Sequence, residues 1–283
     1  MSDQIDTDDD ATGLDPETQR AVVRERYSSI AASSGSCCGD DESSGCCDEG
    51  EDATGNDSTD DRSLLQGYTE GDLEAVEPGA NLNLGCGNPT AIASLSAGET
   101  VLDLGSGAGF DCFLAAREVG ETGRVIGVDM TPEMIRKART NAERNDAEVV
   151  EFRLGEIEHL PVADESVDVI ISNCVINLSP DKPQVFREAY RVLRPGGRLA
   201  VSDVVRTAEL PKTVRLDPDS ISACVAGAST IRRLESMIEA AGFVDVCIEP
   251  KDESEEFIRE WDDELDVSDF LVSASIEATK PSD

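Results

Sequence analysis

VLDLGSGAGF, residues 101–110, decides the fold. A short apolar run, VLDL, ends in alternating glycines, and apolar residues then recur at helical spacing through Phe110, Leu114, Ala115 and Val119. A strand that breaks into glycine and restarts as a helix lets the backbone approach a ligand at Gly105 and Gly107, where the helix N-terminus favours polar contacts. Working outward, RVIGVD (124–129), VVEFRL (149–154), VDVIIS (167–172) and RLAVSD (198–203) are further strand candidates. Thr131-Pro132-Glu133 opens a helix to about Arg144, and PQVFREAYRVL (183–193) is an amphipathic helix between the last two strands. Strands alternating with helices of ~10–15 residues predict βαβ units and a parallel sheet buried on both faces. IRRLESMIEAAGF (231–243), stopped at Gly242, and VDVCIE (244–249) continue the pattern, and DFLVSASIEATK (269–280) is expected as a last strand pairing antiparallel at the edge. Residues 204–229 interrupt the alternation. An insertion after the fifth strand would sit over the C-terminal edge of the sheet, where ligands bind.

Composition narrows the function classes. The 283 residues carry a formal net charge of −36, from 60 acidic against 24 basic side chains. That balance argues against nucleic acid, whose phosphates need a basic footprint, and against anionic membrane surfaces. The acidity is spread along the chain, as in proteins solvated for a high-salt cytoplasm, where molar salt screens self-repulsion. No apolar run approaches the ~18–20 residues of a membrane span, and the acidic MSDQIDTDDD is no signal peptide. A cytoplasmic location is expected, where thiols stay reduced. Nine cysteines then call for something other than a disulfide framework.

Three regions are expected. Residues 1–62 read as an acidic, largely flexible arm, with one helix from Asp15-Pro16-Glu17 to about Ala32 and the cysteine pairs of SCCGDDESSGCC (36–47). Residues 63–203 form the core with the cofactor site, and 204–283 supply the insertion and complete the sheet.

Asp129 ends the second strand, 20 residues after Gly109, where a carboxylate can grip ribose hydroxyls. Turn and acid together predict a nucleoside-containing cofactor; NAD, FAD and S-adenosylmethionine remain open on spacing alone. Asp103-Leu104-Gly105-Ser106-Gly107-Ala108-Gly109, with LRPGGRL (193–199), resembles the class I S-adenosylmethionine-dependent methyltransferases. That resemblance implies a Rossmann-like α/β fold with a seven-stranded, mostly parallel sheet whose last strand is antiparallel. It implies S-adenosylmethionine beside Asp103, Gly105, Ser106, Gly107, Met130 and Asn173, with Asp129 on the ribose and Glu156 and Ile157 against the adenine.

The acceptor is a separate question. The single histidine, His159, reads as a surface or capping residue, and no carboxylate stands in an evident acid–base pair. Cys174 follows the fourth strand, Cys224 lies in the insertion and Cys86 lies just ahead of the core. They could be three ordinary buried cysteines or one soft three-thiolate site. None has the paired spacing usual for zinc. Trivalent arsenic suits three sulfurs and keeps a lone pair that can attack a methyl with no proton to remove, although the chemistry alone does not choose arsenic. Cys112 and Cys247 read as buried filler, and Tyr68 and Trp261 as packing residues.

SCCG, LGCGNP, DLGSGAGFDCFLAAREVG, GVDMTPEMI, ISNCVINLSPDK, CVAGA and FLVSASIEATKP, in that order, resemble the arsenite methyltransferase family over roughly residues 20–280. The resemblance implies arsenic detoxification by methylation, with an As(III)–thiol complex as substrate bound by Cys86, Cys174 and Cys224. It also implies a transient disulfide from Cys37 or Cys38, and a small-thiol or thioredoxin-like reductant. Cys46 and Cys47 are auxiliary thiols or have no role. A small-molecule C- or O-methyltransferase and a non-enzymatic soft-metal binder are the alternatives.

Overall fold

A computed structural model describes residues 13–33, 57–251, 254–261 and 266–282. Cys37, Cys38, Cys46 and Cys47 lie outside the described residues, and with them the expectations for the SCCG segment. Four helices come first: α1 (Pro16–Ser33), α2 (Asp57–Leu65), α3 (Glu70–Glu74) and α4 (Pro89–Ala93). The alternating part follows as β1 (Thr100–Leu104), α5 (Phe110–Val119), β2 (Arg124–Asp129), α6 (Pro132–Arg144), β3 (Val150–Leu154), β4 (Val167–Asn173), α7 (Lys182–Val192) and β5 (Leu193–Arg206). After α8 (Lys212–Arg215), α9 (Pro218–Ser222) and α10 (Ile231–Ala240) come β6 (Val244–Lys251), α11 (Glu255–Ile258) and β7 (Leu271–Thr279).

The seven strands form one sheet in the order β3-β2-β1-β4-β5-β7-β6. β1 to β5 are parallel, and β7 runs antiparallel to both β5 and β6. The expected α/β sheet with its antiparallel last strand is what forms. β5 is longer than RLAVSD: Leu193 already pairs with Val167, and the register shifts before Arg198 meets Val169. The glycine-bearing LRPGG segment is absorbed at that irregularity, as strand glycines commonly are.

Two apolar layers sandwich the sheet. Phe186, Leu234 and Ile238 from α7 and α10 pack on Leu102, Ile170 and Val201. Phe113, Ile135 and Ala138 from α5 and α6 pack on Val101, Val125 and Ile171. Side chains such as Phe186 and Ile170 are fully buried, each worth roughly 1.5–3 kcal/mol relative to exposure. A third cluster lies apart, over the C-terminal edge: Val23 of α1, Cys86, Cys174, Cys224, Leu210, Val214 and Phe257. Residues 204–206, expected in the insertion, still belong to β5, and Leu210, Val214 and Cys224 beyond it join this third cluster.

Helix α1 starts as read, with the Asp15 carboxylate accepting the Glu17 and Thr18 amides at 3.1 Å. It is docked rather than part of a flexible arm. Val23 is buried, Gln19 Nε2 donates to the Leu178 carbonyl at 3.0 Å, and Ser28 Oγ donates to Glu133 at 2.9 Å. The folded part of the chain thus reaches back to residue 16 instead of beginning near Ser63. No described helix is long and apolar enough to cross a membrane.

Candidate active site

β1 and β4 are neighbours whose chain connections leave in opposite directions, so a crevice opens beyond their C-terminal ends. A cleft fills it, lined by the glycine turn, Asp129–Thr131, Ile157, Asn173–Val175 and, from above, α1. The turn is tied to the second strand: Gly105 and Ser106 amides donate to the Val128 carbonyl at 2.7 and 3.0 Å. The Asp129 carboxylate accepts the Gly107 amide at 3.0 Å and the Thr131 amide at 2.8 Å. Burial raises its pKa; the two amides favour the charged form.

Two buried carboxylates face the same cleft. Asp103 accepts the Cys112 thiol at 3.2 Å, and burial, reinforced by the Asp111 charge, pushes it well above the usual carboxylate range. Asp111 is pushed up to about 6 by burial, against hydrogen bonds from Tyr68 and Asn173. The Tyr68 hydroxyl donates to Asp111 Oδ1 at 2.6 Å, and Asn173 Nδ2 donates to Asp111 Oδ2 at 3.2 Å. Among the described residues neither carboxylate has an ion-pair partner. The Ser106 hydroxyl is buried and unsatisfied. Uncompensated acids and an orphan hydroxyl around an open crevice suit a cationic, hydroxyl-bearing ligand, and S-adenosylmethionine is one.

The three singled-out thiols do converge. Cys86, Cys174 and Cys224 are 1%, 3% and 3% exposed, inside the apolar third cluster. The Cys86 amide donates to Asn173 Oδ1 at 2.9 Å, its carbonyl accepts Ser273 Oγ at 2.7 Å, and the Cys174 amide donates to the Ser202 carbonyl at 2.8 Å. The Cys224 thiol donates to the Cys174 carbonyl at 2.8 Å. Cys174 and Cys224 both hold left-handed backbone, φ 58° and 67°. That conformation costs a non-glycine residue on the order of 1–3 kcal/mol, and such outliers cluster at functional sites. The Cys174 thiol is raised well above its ordinary range by the adjoining Cys224 and Cys86 thiols and by burial. For Cys224 the Cys174 contact acts downward, but burial and the Asp203 charge outweigh it. Cys174 and Cys224 are thus held as thiols, not thiolates, until something soft displaces their protons.

Other expected residues divide. Met130, Ile157 and Asn173 line the cleft, with Asn173 also clamping the Cys86 loop. Glu156 does not line it: its carboxylate pairs with Arg20 and Arg24 of α1 at 3.5 Å. Glu158, two residues on, is buried, lines the cleft and accepts Ser179 Oγ at 2.7 Å. Cys112 is buried as expected; Cys247 is exposed on edge strand β6 rather than filler. Tyr68 lines the cleft as a hydrogen-bond donor to Asp111 rather than as packing alone, and His159 is exposed. Tyr27 of α1 and Asp203 were invisible to pattern reading. Burial and the Cys224 and Cys174 thiols raise the Tyr27 hydroxyl well above its ordinary range. One Asp203 carboxylate oxygen and the Cys86 and Cys174 sulfurs lie within 4.8 Å of one another.

A methyltransferase domain model matches residues 95–242. The arsenite methyltransferase of Halobacterium salinarum is 60% identical over 272 residues, which is 94% of this chain and 68% of the relative. The chain belongs to the arsenite methyltransferase family. The human arsenite methyltransferase is 42% identical over 152 residues, half of this chain and 40% of the relative. An arsenic(III) S-adenosylmethionine methyltransferase from Chlamydomonas reinhardtii superposes with TM-score 0.59 at 37% identity, covering 78% of this chain and 73% of that one. Of the family members compared by sequence, the chain spans 68%, 55% and 40% of the length of those from Halobacterium, Aquipseudomonas and human. Membership sets aside the non-enzymatic reading, and the spread acidity accords with the likeness to the Halobacterium protein.

Proposed function

We propose that this chain binds trivalent arsenic through Cys86, Cys174 and Cys224 and methylates it with S-adenosylmethionine. One observation carries the reading. Three cysteines separated by 88 and 50 residues meet in one apolar pocket, beside a cleft built for a cationic nucleoside. An arsenic–thiol complex exchanges its ligands for the protein thiols, each bound sulfur giving up its proton to a departing thiol. Bound by three sulfurs, arsenic is neutral, pyramidal and keeps its lone pair, so no general base is required, consistent with the exposed His159. S-adenosylmethionine supplies a sulfonium methyl when bound. Asp129 grips the ribose, Ile157 and Glu158 flank the base, and Asp103 and Asp111, with Tyr68, face the cationic end. Helix α1 covers the cleft through Val23 and Tyr27 and keeps water out. The work of the protein is positioning and desolvation.

We further propose that Cys37 or Cys38 attacks the Cys86 sulfur after methyl transfer: the S–S bond forms as the As–S bond breaks, its electron pair reduces methylated As(V) to As(III), the attacking thiol's proton leaves, and a small thiol or thioredoxin-like partner in the cytoplasm re-reduces the disulfide. The whole reading is tested by incubating protein, cofactor, arsenite and thiol, then speciating the arsenic. Methylarsenicals are expected from the wild type and none from Cys174→Ser or Cys224→Ser. Undiminished methylation by those variants contradicts the thiol site.

A further inference from the structure

Asp203 is buried to 1% exposure in β5, three residues before the strand ends, beside the thiol pocket. Parallel pairing puts Asn173 against Ser202, so Cys174 emerges next to Asp203. A carboxylate oxygen lies within 4.8 Å of the Cys86 and Cys174 sulfurs, and those sulfurs lie equally close to each other. The Asp203 charge is also felt at Cys224. All three thiols therefore share one anion. That anion is fixed: Oδ2 accepts the Ile176 and Asn177 amides at 3.0 and 3.4 Å, and Oδ1 accepts Asn177 Nδ2 and the Val204 amide at 2.8 Å each. Burial raises the Asp203 carboxyl to about 6, against the donated amides and the Lys182 cation, whose Nζ donates to the Gly227 carbonyl at 2.6 Å, so the anion is the main form at neutral pH. With its oxygens already engaged by donors, the carboxylate serves as a charge rather than as a ligand.

The Asp203 charge opposes ionisation of the Cys224 thiol, so it does not help arsenic to bind. Its use lies in the next step. In the reaction proposed above, the arsenic lone pair forms the As–C bond while the C–S bond breaks and its electron pair stays on sulfur. The sulfonium becomes a neutral thioether, and the neutral tris-thiolate arsenic becomes a methylated cation. Positive charge thus arrives at arsenic as the methyl transfers. We infer that Asp203 is a preorganised counter-charge that stabilises the cation developing on arsenic during methyl transfer. The inference rests on the arsenic reading of this pocket. A fixed charge aimed at developing charge in a dry site needs no reorganisation when the reaction occurs, which is where electrostatic catalysis is most effective.

The test separates charge from loop geometry. Single-turnover methyl transfer is measured on protein preloaded with As(III) at saturating cofactor, and As(III) affinity is measured in parallel without cofactor. Asp203→Asn removes the charge, Asp203→Glu retains one, and Asn177→Ala loosens the same loop with the charge intact. Asp203→Asn is expected to slow methyl transfer roughly 10- to 100-fold while As(III) affinity stays within about threefold or tightens. Asp203→Glu should recover part of the rate, and Asn177→Ala should lose less than Asp203→Asn. Transfer by Asp203→Asn at the wild-type rate overturns the inference, as does an Asn177→Ala loss of equal size or a loss of As(III) binding that accounts for the slowing. A wild-type protein that binds As(III) and never methylates it overturns the functional reading instead.

Discussion

The glycine turn makes a claim that two alanine substitutions can separate. Gly105 and Gly107 both have left-handed backbone, φ 69° and 52°, and that conformation costs an L-residue roughly 1–2 kcal/mol. Their surroundings differ. A Cβ on Gly105 would come within 2.5 Å of both Val175 methyls, whereas a Cβ on Gly107 meets nothing within 4 Å. Gly107 lines the cleft, so its empty neighbourhood is the space assigned to the cofactor. Gly107→Ala should therefore cost only the backbone term, roughly 1–2 kcal/mol, a drop in Tm of a few degrees at this size. Its methyl should nonetheless obstruct the ligand by roughly 1–3 kcal/mol, about a 5- to 150-fold rise in Kd. Gly105→Ala adds overpacking against Val175, for a total of roughly 2–5 kcal/mol of stability, and displaces the residue next to Cys174. Thermal unfolding by circular dichroism gives the stability, and titration calorimetry with the demethylated cofactor, which cannot turn over, gives the affinity. The placement of the cofactor is refuted if Gly107→Ala binds within about twofold of wild type. It is refuted equally if Gly107→Ala loses as much stability as Gly105→Ala.

Two further expectations follow from the site. Burial holds Asp111 at about 6, above the ordinary 3.8, so its contribution to stability is present in full below pH 3.8 and is lost as pH rises through about 6. The upper bound for the ligand-free protein is roughly 3 kcal/mol. A bound cation reverses the preference, so affinity for the demethylated cofactor's ammonium should fall below about pH 6, and Asp111→Asn should flatten that dependence in calorimetric titrations. For α1, the partly exposed Arg20 and Arg24 pairs to Glu156 and Glu158 should contribute about 1 kcal/mol or less each, while Val23 is buried to 1% exposure. Arg20→Ala should leave limited proteolysis near residue 20 unchanged, whereas Val23→Asp should unseat the helix and speed it at least tenfold.

The alternating part of the fold was legible because its signals are local. β2 spans Arg124–Asp129 as read, and α6, α7 and α10 fall within a few residues of their expected bounds, because apolar period and glycine punctuation sit in the same few residues that form each element. The glycine turn and the three converging cysteines could be named for the same reason, by their place relative to strand ends. Helix α1 could be drawn but not placed. It buries only Gln19 and Val23, too few for an apolar stripe, and its footing is made by Glu133, Glu156 and Leu178. Asp203 looked like any acid at a strand end; what makes it matter is the loop of residues 174–177 folding onto it. Glu158 rather than Glu156 lines the cleft, and the two acids share a loop with no periodicity to orient them. Arg20 of α1 pairs with both; what distinguishes them is the burial of Glu158 beside Ser179.

The central claim is that three protein sulfurs hold the arsenic whose lone pair takes the methyl group. Arsenic K-edge X-ray absorption on the protein, loaded with one equivalent of arsenite after removal of external thiol, reads that shell directly. The account predicts three sulfur neighbours and no oxygen in the wild type, with one sulfur replaced by oxygen in Cys174→Ser and likewise in Cys224→Ser. An oxygen retained on arsenic in the wild type, or an unchanged three-sulfur shell in either variant, would contradict it.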